Sequence, residues 1–283
     1  MLKDDIKDPV WFFDLEWVPD AAGAARLYDL PPDVTEEAAI QRLWEGTKGF
    51  DAEGCPRPFV KYALSKIVSI AFLSRRIVYV DGVRKAEFGL HSLPKRPLGE
   101  SLPPEGEMIS QFLHYVGVRS PQLVGFNSLE ADLQVLIQRA LVNEVRAELF
   151  CKRPDKPWNG RDYFDSKNSE WHLDLLQRFS RHSMAPKLND LARLCGFPGK
   201  LDVDGAQVVD LWLAGDVDRI VKYNQIDALN TYLLWQRVAN FACKISEEAY
   251  AAEQDDFREF LDREAEDAAN DHIRAFIEKW DAS

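Results

Sequence analysis

The strongest constraint on the fold comes from nine residues near the start of the chain, Val-Trp-Phe-Phe-Asp-Leu-Glu-Trp-Val at positions 10–18. Aromatic and β-branched residues dominate this run and Pro19-Asp20 ends it, which is typical of a β-strand. Apolar side chains fall on both of its alternating faces, so we expect helices to cover the strand from both sides. The run predicts an α/β fold in which this strand lies centrally in a sheet.

Two acidic residues, Asp14 and Glu16, interrupt this apolar strand. Residues two apart in a strand share a face, so both carboxylates project from the same side. Buried carboxylates at such short range need a cation or protons to persist, and Mg²⁺ or Mn²⁺ prefers oxygen ligands. The pair indicates a divalent-metal site, and the alternative is a strand end whose acids reach solvent.

The rest of the chain alternates predicted strands and helices. Strands are predicted at 66–73, 76–80, 86–90, 122–126 and 172–176, with a turn at Asp81-Gly82. Helices are predicted at 35–44, 107–116, 128–142, 188–195, 207–213, 216–239 and 247–280, the first capped by Thr35 and the third by Ser128. This order predicts a mixed β-sheet flanked by helices.

Two further polar patterns follow the first strand. Asn127 ends a short strand and Asp132 lies near the start of the next helix, while Tyr223 and Asp227 lie one turn apart on a late helix. Each has an ordinary structural explanation, since Asn is common in turns and an acid is favoured in the first turn of a helix. Their order along the chain, after an Asp-x-Glu strand, is the informative feature.

That order resembles the three exonuclease motifs of the DEDD superfamily, in its tyrosine-bearing subgroup, which has a ribonuclease H-like fold. In particular, the chain is similar to stand-alone bacterial 3′–5′ exonucleases related to the proofreading domain of family B DNA polymerases. The resemblance covers roughly residues 10–240. It is carried by the segments Phe13–Asp20, Lys66–Ile70, His172–Leu175 and Gly199-Lys200 and by the helix from Asp227 to Tyr232.

The resemblance implies hydrolysis of phosphodiester bonds at the 3′ end of a nucleic acid, with two divalent cations, Mg²⁺ or Mn²⁺, flanking the scissile phosphate. The implied metal ligands are Asp14, Glu16, Asp132 and Asp227. Tyr223 would orient the attacking water, because an ordinary phenol is a weak base at neutral pH. Asp174 is either a supporting residue behind the ligands or a structural hydrogen-bond acceptor.

The implied substrate contacts are Leu15, Trp17, Phe126 and Asn127, with the two aromatic rings able to stack on terminal bases. For each ring, a place in the core is the simpler interpretation. Two positions depart from the family pattern: Ala131 stands where an aromatic residue usually precedes the second-motif aspartate, and Trp17 stands where a small residue is usual. The effect of these two departures on substrate choice stays open. The resemblance favours single-stranded DNA over RNA as the substrate.

The net charge of −12 is unevenly distributed. Residues 247–283 carry 13 acids and 4 bases, a net −9, whereas residues 57–99 carry 9 bases and 2 acids, a net +7. We expect an exonuclease domain at 1–245, whose basic segment can assist a phosphate backbone, and an acidic helical extension at 246–283. The extension should dock by an apolar stripe, Phe257, Phe260, Leu261, Phe276, Ile277 and Trp280, and it either repels nucleic acid or only solubilises the chain.

Other observations narrow the class of protein. There is no apolar stretch long enough to span a bilayer and no apolar leader, and the four cysteines form no CxxC pair. A cytoplasmic protein without a membrane partner is expected, and the oligomeric state stays open. A haloacid-dehalogenase-type phosphatase would need a second aspartate at position 16, where Glu16 stands. A catalytically silent ribonuclease H-like module that binds nucleic acid or a protein remains the alternative.

Overall fold

The computed structural model describes residues 2, 5–179, 184–201 and 203–282. These residues contain a five-stranded sheet in the order β3-β2-β1-β4-β5. The strands are β1 (Val10–Pro19), β2 (Ser65–Val80), β3 (Val83–Leu93), β4 (Gln122–Gly125) and β5 (His172–Asp174). Strand β2 is antiparallel to β1 and β3, whereas β4 and β5 run parallel to β1. The predicted mixed α/β fold with β1 at its centre is confirmed.

Helices cover both faces of this sheet. They are α1 (Ala21–Leu27), α2 (Glu36–Glu45), α3 (Glu105–Arg119), α4 (Asp132–Val142), α5 (Glu148–Cys151), α6 (Leu175–Phe179), α7 (Leu188–Leu194), α8 (Val208–Leu213), α9 (Val217–Phe241), α10 (Glu247–Ala265) and α11 (Asp271–Asp281). Phe13 and Leu15 of β1 pack with α3 and α4, while Phe12 packs with α9. None of the helices among these residues is both long and apolar enough to cross a membrane.

Strand β2 differs from the prediction. Two strands were expected at 66–73 and 76–80, but β2 continues without a break. Ser74 and Arg75 stay in the ladder, opposite Trp11 and Val10 on one side. The Arg75 side chain is buried against Glu253, so an arginine that looks like a strand terminus is an interior residue.

The start of α4 also differs from the prediction. The helix begins at Asp132, and Ser128 does not cap it. The Ser128 hydroxyl instead pairs with His172 Nε2 at 2.9 Å, and residues 128–131 form turns. By contrast, Thr35 accepts a hydrogen bond from the amide of Ala38 and caps α2 as predicted. Helix α1, capped by Asp20, was not predicted.

The acidic C-terminal segment is helical and docks by its apolar stripe, as predicted, but it forms two helices rather than one continuous helix over 247–280. Phe257, Phe260 and Phe276 are buried in the same hydrophobic core as Phe12 of β1 and much of α9. Ile277 and Trp280 pack against that core from its margin. Helices α10 and α11 therefore complete one face of the sheet. The division into an exonuclease domain at 1–245 and an extension at 246–283 remains a prediction.

Candidate active site

Three carboxylates meet above the carboxyl-terminal half of β1. Asp14 and Glu16 project from one face of the strand, as the alternation predicts, and Asp227 comes from α9. One oxygen of each lies within 4.8 Å of the others. Asp227 is buried, and its Oδ1 has no hydrogen-bond partner among the described residues. Such an unsatisfied carboxylate oxygen is costly without a cation or proton beside it.

Asp132 comes to the site from α4. It is the first residue of α4 and is buried, and its Oδ1 accepts the backbone N–H of Leu15 at 3.0 Å. This bond ties the start of α4 to β1 between the two strand acids. Asp132 lies outside the tight group of three, yet its negative charge contributes to the raised pKa of Asp14.

Asp174 arranges the loop that leads to Asp132. One of its oxygens accepts the amide of Asn127 at 2.9 Å and the other accepts the amide of Leu129 at 3.0 Å. Asn127 adopts a left-handed conformation with φ of 63°, which an Asn tolerates better than most residues. Of the two roles considered for Asp174, the structure shows that of a structural hydrogen-bond acceptor.

Tyr223 packs beside the cluster on the same helix as Asp227. Its ring is buried with Val18, Val68 and Ile220, so its hydroxyl has a fixed direction. The Lys200 ammonium donates a hydrogen bond to that hydroxyl and lies 3.7 Å from an oxygen of Asp227. Burial, followed by the negative charges of Asp227 and Glu16, raises the pKa of Tyr223 and keeps the phenol protonated.

The loop that carries Lys200 is held from three sides. The amide and carbonyl of Gly199 both pair with the buried Asn230 side chain, one helical turn beyond Asp227. The amide of Lys200 donates to Asn189, and its carbonyl accepts the Lys279 ammonium of α11. Gly199 has φ of 66°, and a Cβ there would lie 2.6 Å from Asn189 Oδ1, so the position requires glycine.

Burial and mutual repulsion perturb the acids strongly. Burial raises the pKa of Asp132 to about 7 and that of Asp227 to about 6, the latter against the opposing effect of Lys200. Burial and then neighbouring carboxylates raise the pKa values of Asp14 and Glu16 well above the ordinary range. Groups that resist ionisation this strongly, clustered with all-oxygen donors, suit a hard divalent cation. The donor set therefore fits Mg²⁺ or Mn²⁺.

The four residues predicted to contact substrate differ in their burial and in their place in the fold. The Leu15 side chain is buried in the core, so only its backbone faces the site. Trp17 is half-buried against the α3–α4 side of the sheet, and Phe126 is half-buried beside Phe179, with ring centroids 6.2 Å apart. Asn127 lies at the entrance to the second-motif loop. Their contacts with substrate stay predictions.

The basic segment at 57–99 is largely neutralised in the structure. Glu253 pairs with Arg75 and Arg84, and Asp256 and Glu259 pair with Lys85. Arg57, Arg76 and Arg96 pair with Asp210, Glu87 and Asp218. Of the segment's nine bases, Lys61, Lys66 and Lys95 form no ion pair with the described residues. The expected broad grip on a phosphate backbone is thus reduced to these few positions.

A family model for predicted 3′–5′ exonucleases related to the exonuclease domain of PolB matches residues 57–280. The chain belongs to this exonuclease family. The match includes Asp132, Tyr223 and Asp227 but begins after Asp14 and Glu16. It also continues through α10 and α11, so the resemblance extends beyond residue 240, where the sequence motifs end.

Other comparisons are more distant. No curated protein matches the chain. Among solved structures, the family B DNA polymerase from the hyperthermophilic archaeon Pyrobaculum calidifontis is similar, with 15% sequence identity and a TM-score of 0.45. The similarity covers 82% of this chain and 25% of that one, so the present chain spans only about a quarter of the polymerase.

Lys200 is the member of this candidate site that the sequence motifs did not assign. It was included only as part of a short Gly-Lys resemblance, without a role. Its separation from Tyr223 and Asp227 along the chain follows no helical or strand period that could have placed it there. The positive φ of Gly199, which brings the ammonium inward, is visible only in the structure.

The raised carboxylate pKa values predict how metal-free stability depends on pH. The folded protein holds protons on Asp132 and Asp227 that the unfolded chain releases near pH 3.8, so their contribution to stability falls as pH rises from there through about 7. In EDTA, the melting temperature should therefore fall as pH is raised through this window, while saturating Mg²⁺ should suppress the fall. Equal pH profiles with and without Mg²⁺ would contradict this assignment.

Proposed function

We propose that the protein is a metal-dependent 3′–5′ exonuclease that hydrolyses terminal phosphodiester bonds with two divalent cations. The observation that carries this proposal is the group of three carboxylate oxygens within 4.8 Å, one of them belonging to a buried acid with an unsatisfied oxygen. Membership of the exonuclease family supports the reaction class. Asp14, Glu16, Asp132 and Asp227 are the proposed metal ligands.

Bound cations would activate a water and stabilise the departing 3′ oxygen. The protein's own residues supply orientation. The protonated Tyr223 hydroxyl, held by Lys200, is placed to orient the attacking water rather than to remove its proton. The Lys200 ammonium offsets part of the negative charge of Asp227 and adds a positive group beside the phosphate position.

For the substrate, we propose the 3′ end of single-stranded DNA. The family's relation to a DNA polymerase exonuclease domain supports DNA. We assign the chemistry to residues 1–245, with Trp17, Phe126, Asn127 and the backbone of Leu15 lining the path of the terminal nucleotide.

A degradation assay tests this proposal. Oligonucleotides labelled at the 5′ end should yield a ladder of successively shorter labelled products with Mg²⁺ or Mn²⁺ and none with EDTA. Single-stranded DNA, blunt duplex DNA and single-stranded RNA of the same sequence give the preference. Binding without degradation under every metal condition would instead support the catalytically silent module.

Tyr223→Phe should lower kcat by about 100-fold, at the low end of what a positioned proton-transfer or water-orienting group contributes. The ring would still pack against Val18 and Val68, so stability and metal affinity should hardly change. Single-turnover rates at saturating Mg²⁺, with Mg²⁺ titrated separately, measure the two effects. Tyr250→Phe, on α10, is the control for loss of a hydroxyl elsewhere. A wild-type rate for Tyr223→Phe would make the tyrosine structural only.

A further inference from the structure

An exposed phenylalanine lies on the rim of the candidate active site. Phe59 is 65% exposed, and its ring packs edge-to-face on Tyr62, with centroids 5.4 Å apart. The Tyr62 hydroxyl donates to the carbonyl of Glu130 at 2.7 Å. Glu130 is two residues before Asp132, so this aromatic pair adjoins the loop that delivers a proposed metal ligand.

Tyr62, the inner member of this pair, is held firmly in place. It begins a 3₁₀ turn, Tyr62–Leu64, that leads directly into β2, and the Leu64 carbonyl accepts the amide of Asp20 at 2.7 Å. The Tyr62 ring is half-buried against the same core that Trp17 and Leu129 contact. Burial and then the charge of Asp132 raise the pKa of Tyr62, which agrees with its closeness to the carboxylates. Phe59 therefore faces solvent, and the Tyr62 ring against which it packs is fixed.

Two lysines lie close to the pair along the chain, while Glu130 and Asp132 are the acids that act on Tyr62. Lys61 lies between the two aromatic residues in sequence, and Lys66 lies over the Trp212 ring at 4.4 Å from its centroid. These are two of the three bases in the 57–99 segment that no carboxylate of the described residues neutralises. An exposed aromatic ring beside lysines that no carboxylate neutralises is suited to a single nucleic-acid strand, whose base faces are open and whose backbone is anionic.

We propose that Phe59, supported by Tyr62, is a stacking platform for unpaired bases of the strand whose 3′ end occupies the carboxylate cluster, with Lys61 and Lys66 beside its backbone. The inference rests on the proposed exonuclease function and specifies how its substrate is selected. Bases in a duplex are already stacked and paired, so the platform favours single-stranded ends. Stacking tolerates any base, so it confers no sequence preference.

Three variants test the platform in the full-length protein. Phe59→Ala removes the ring, Phe59→Trp keeps an aromatic surface, and Phe241→Ala removes an equally exposed phenylalanine from the end of α9. The measurements are KM and kcat on single-stranded DNA with Mg²⁺, and Kd for the same oligonucleotide with Ca²⁺ by fluorescence anisotropy. Melting temperatures should agree for all three, since both phenylalanines are exposed.

Phe59→Ala should raise KM and Kd for single-stranded DNA by about 5-fold or more, with kcat nearly unchanged, since one stacked base contributes about 1–3 kcal/mol. Phe59→Trp should restore both values, and Phe241→Ala should match wild type. Unchanged KM and Kd in Phe59→Ala, with an active wild-type enzyme, would overturn the platform and leave the proposed function standing. A wild-type protein that degrades no nucleic acid would overturn the proposed function itself.

Discussion

Asp227→Asn should reduce exonuclease turnover by at least about 1,000-fold, because the charge stabilisation supplied by a bound cation is several kcal/mol and each 1.4 kcal/mol is a factor of ten. The asparagine preserves the shape of the side chain but removes the negative charge that would hold the cation. Asp14→Asn should have a similar effect. Steady-state and single-turnover rates on 5′-labelled single-stranded DNA measure the loss.

The same substitutions should leave the metal-free protein as stable as wild type, or more stable. Burial and repulsion already raise the pKa values of Asp14 and Asp227, so a neutral amide relieves an unfavourable charge. Mg²⁺ should raise the melting temperature of wild type but not of the variants. Asp262→Asn, at an exposed acid on α10, is the matched control and should change neither property. EDTA-resistant, wild-type turnover in either cluster variant would refute the two-cation mechanism.

Glu253→Ala should lower the free energy of unfolding by about 3–5 kcal/mol, because it removes the hydrogen-bonded counter-charge of the buried Arg75 and leaves only the longer contact with Asp8 at 3.9 Å. Glu253 is fully buried and accepts two hydrogen bonds from Arg75, at 2.7 and 2.8 Å, and one from Arg84 at 2.8 Å. Although burial disfavours its charge, these partners hold the pKa of Glu253 below its ordinary value. Urea denaturation followed by circular dichroism measures the change.

Glu259→Ala supplies the control, because Glu259 is an exposed acid of the same helix paired with Lys85 at 3.4 Å. It should shift the unfolding midpoint only slightly. Combining Glu253→Leu with Arg75→Met should recover much of the lost stability, since an apolar pair leaves no buried charge behind. Equal effects of the two alanine variants would show that the buried ion pair is not required.

The packing of α10 and α11 against the core limits what a truncation of the acidic segment can show. Removing the residues after Ser246 would delete Phe257 and Phe276, expose the core that they cover, and deprive Arg75 of Glu253. The shortened chain would lose stability, so altered DNA binding could not be assigned to electrostatic gating. Charge-neutralising substitutions at exposed acids such as Asp255 and Glu266 are the sounder way to ask whether the helices repel nucleic acid.

The sequence predicts local features well because they follow from strand and helix periodicity. The shared face of Asp14 and Glu16 follows from alternation along β1, and the proximity of Tyr223 and Asp227 follows from the helical turn. The helices α10 and α11 likewise follow from apolar spacing. Strand and helix periodicity do not predict that Asp132 contacts β1. Only the order of the three motifs along the chain indicated that they form one site.

The features that sequence reasoning missed depend on long-range partners. The predicted break in β2 failed because Arg75 is stabilised by Glu253, 178 residues away. The predicted cap on α4 failed because Ser128 pairs with His172 on a neighbouring strand. The neutralisation of Arg75, Arg84 and Lys85 in the basic segment could not be predicted, because their acidic partners lie on α10. In each case, a polar residue has its partner in a distant part of the chain.

The hydrogen bond from Lys279 to the Lys200 carbonyl has a consequence for how the site is assembled during synthesis. Lys279 follows Lys200 by 79 residues, so every proposed metal ligand is synthesised before this support of the Lys200 loop. Asn189 and Asn230 can hold the loop earlier, because both precede α10 and α11 in the chain. The contact from Lys279 is therefore the last of the three supports to form, and it forms only when α11 docks.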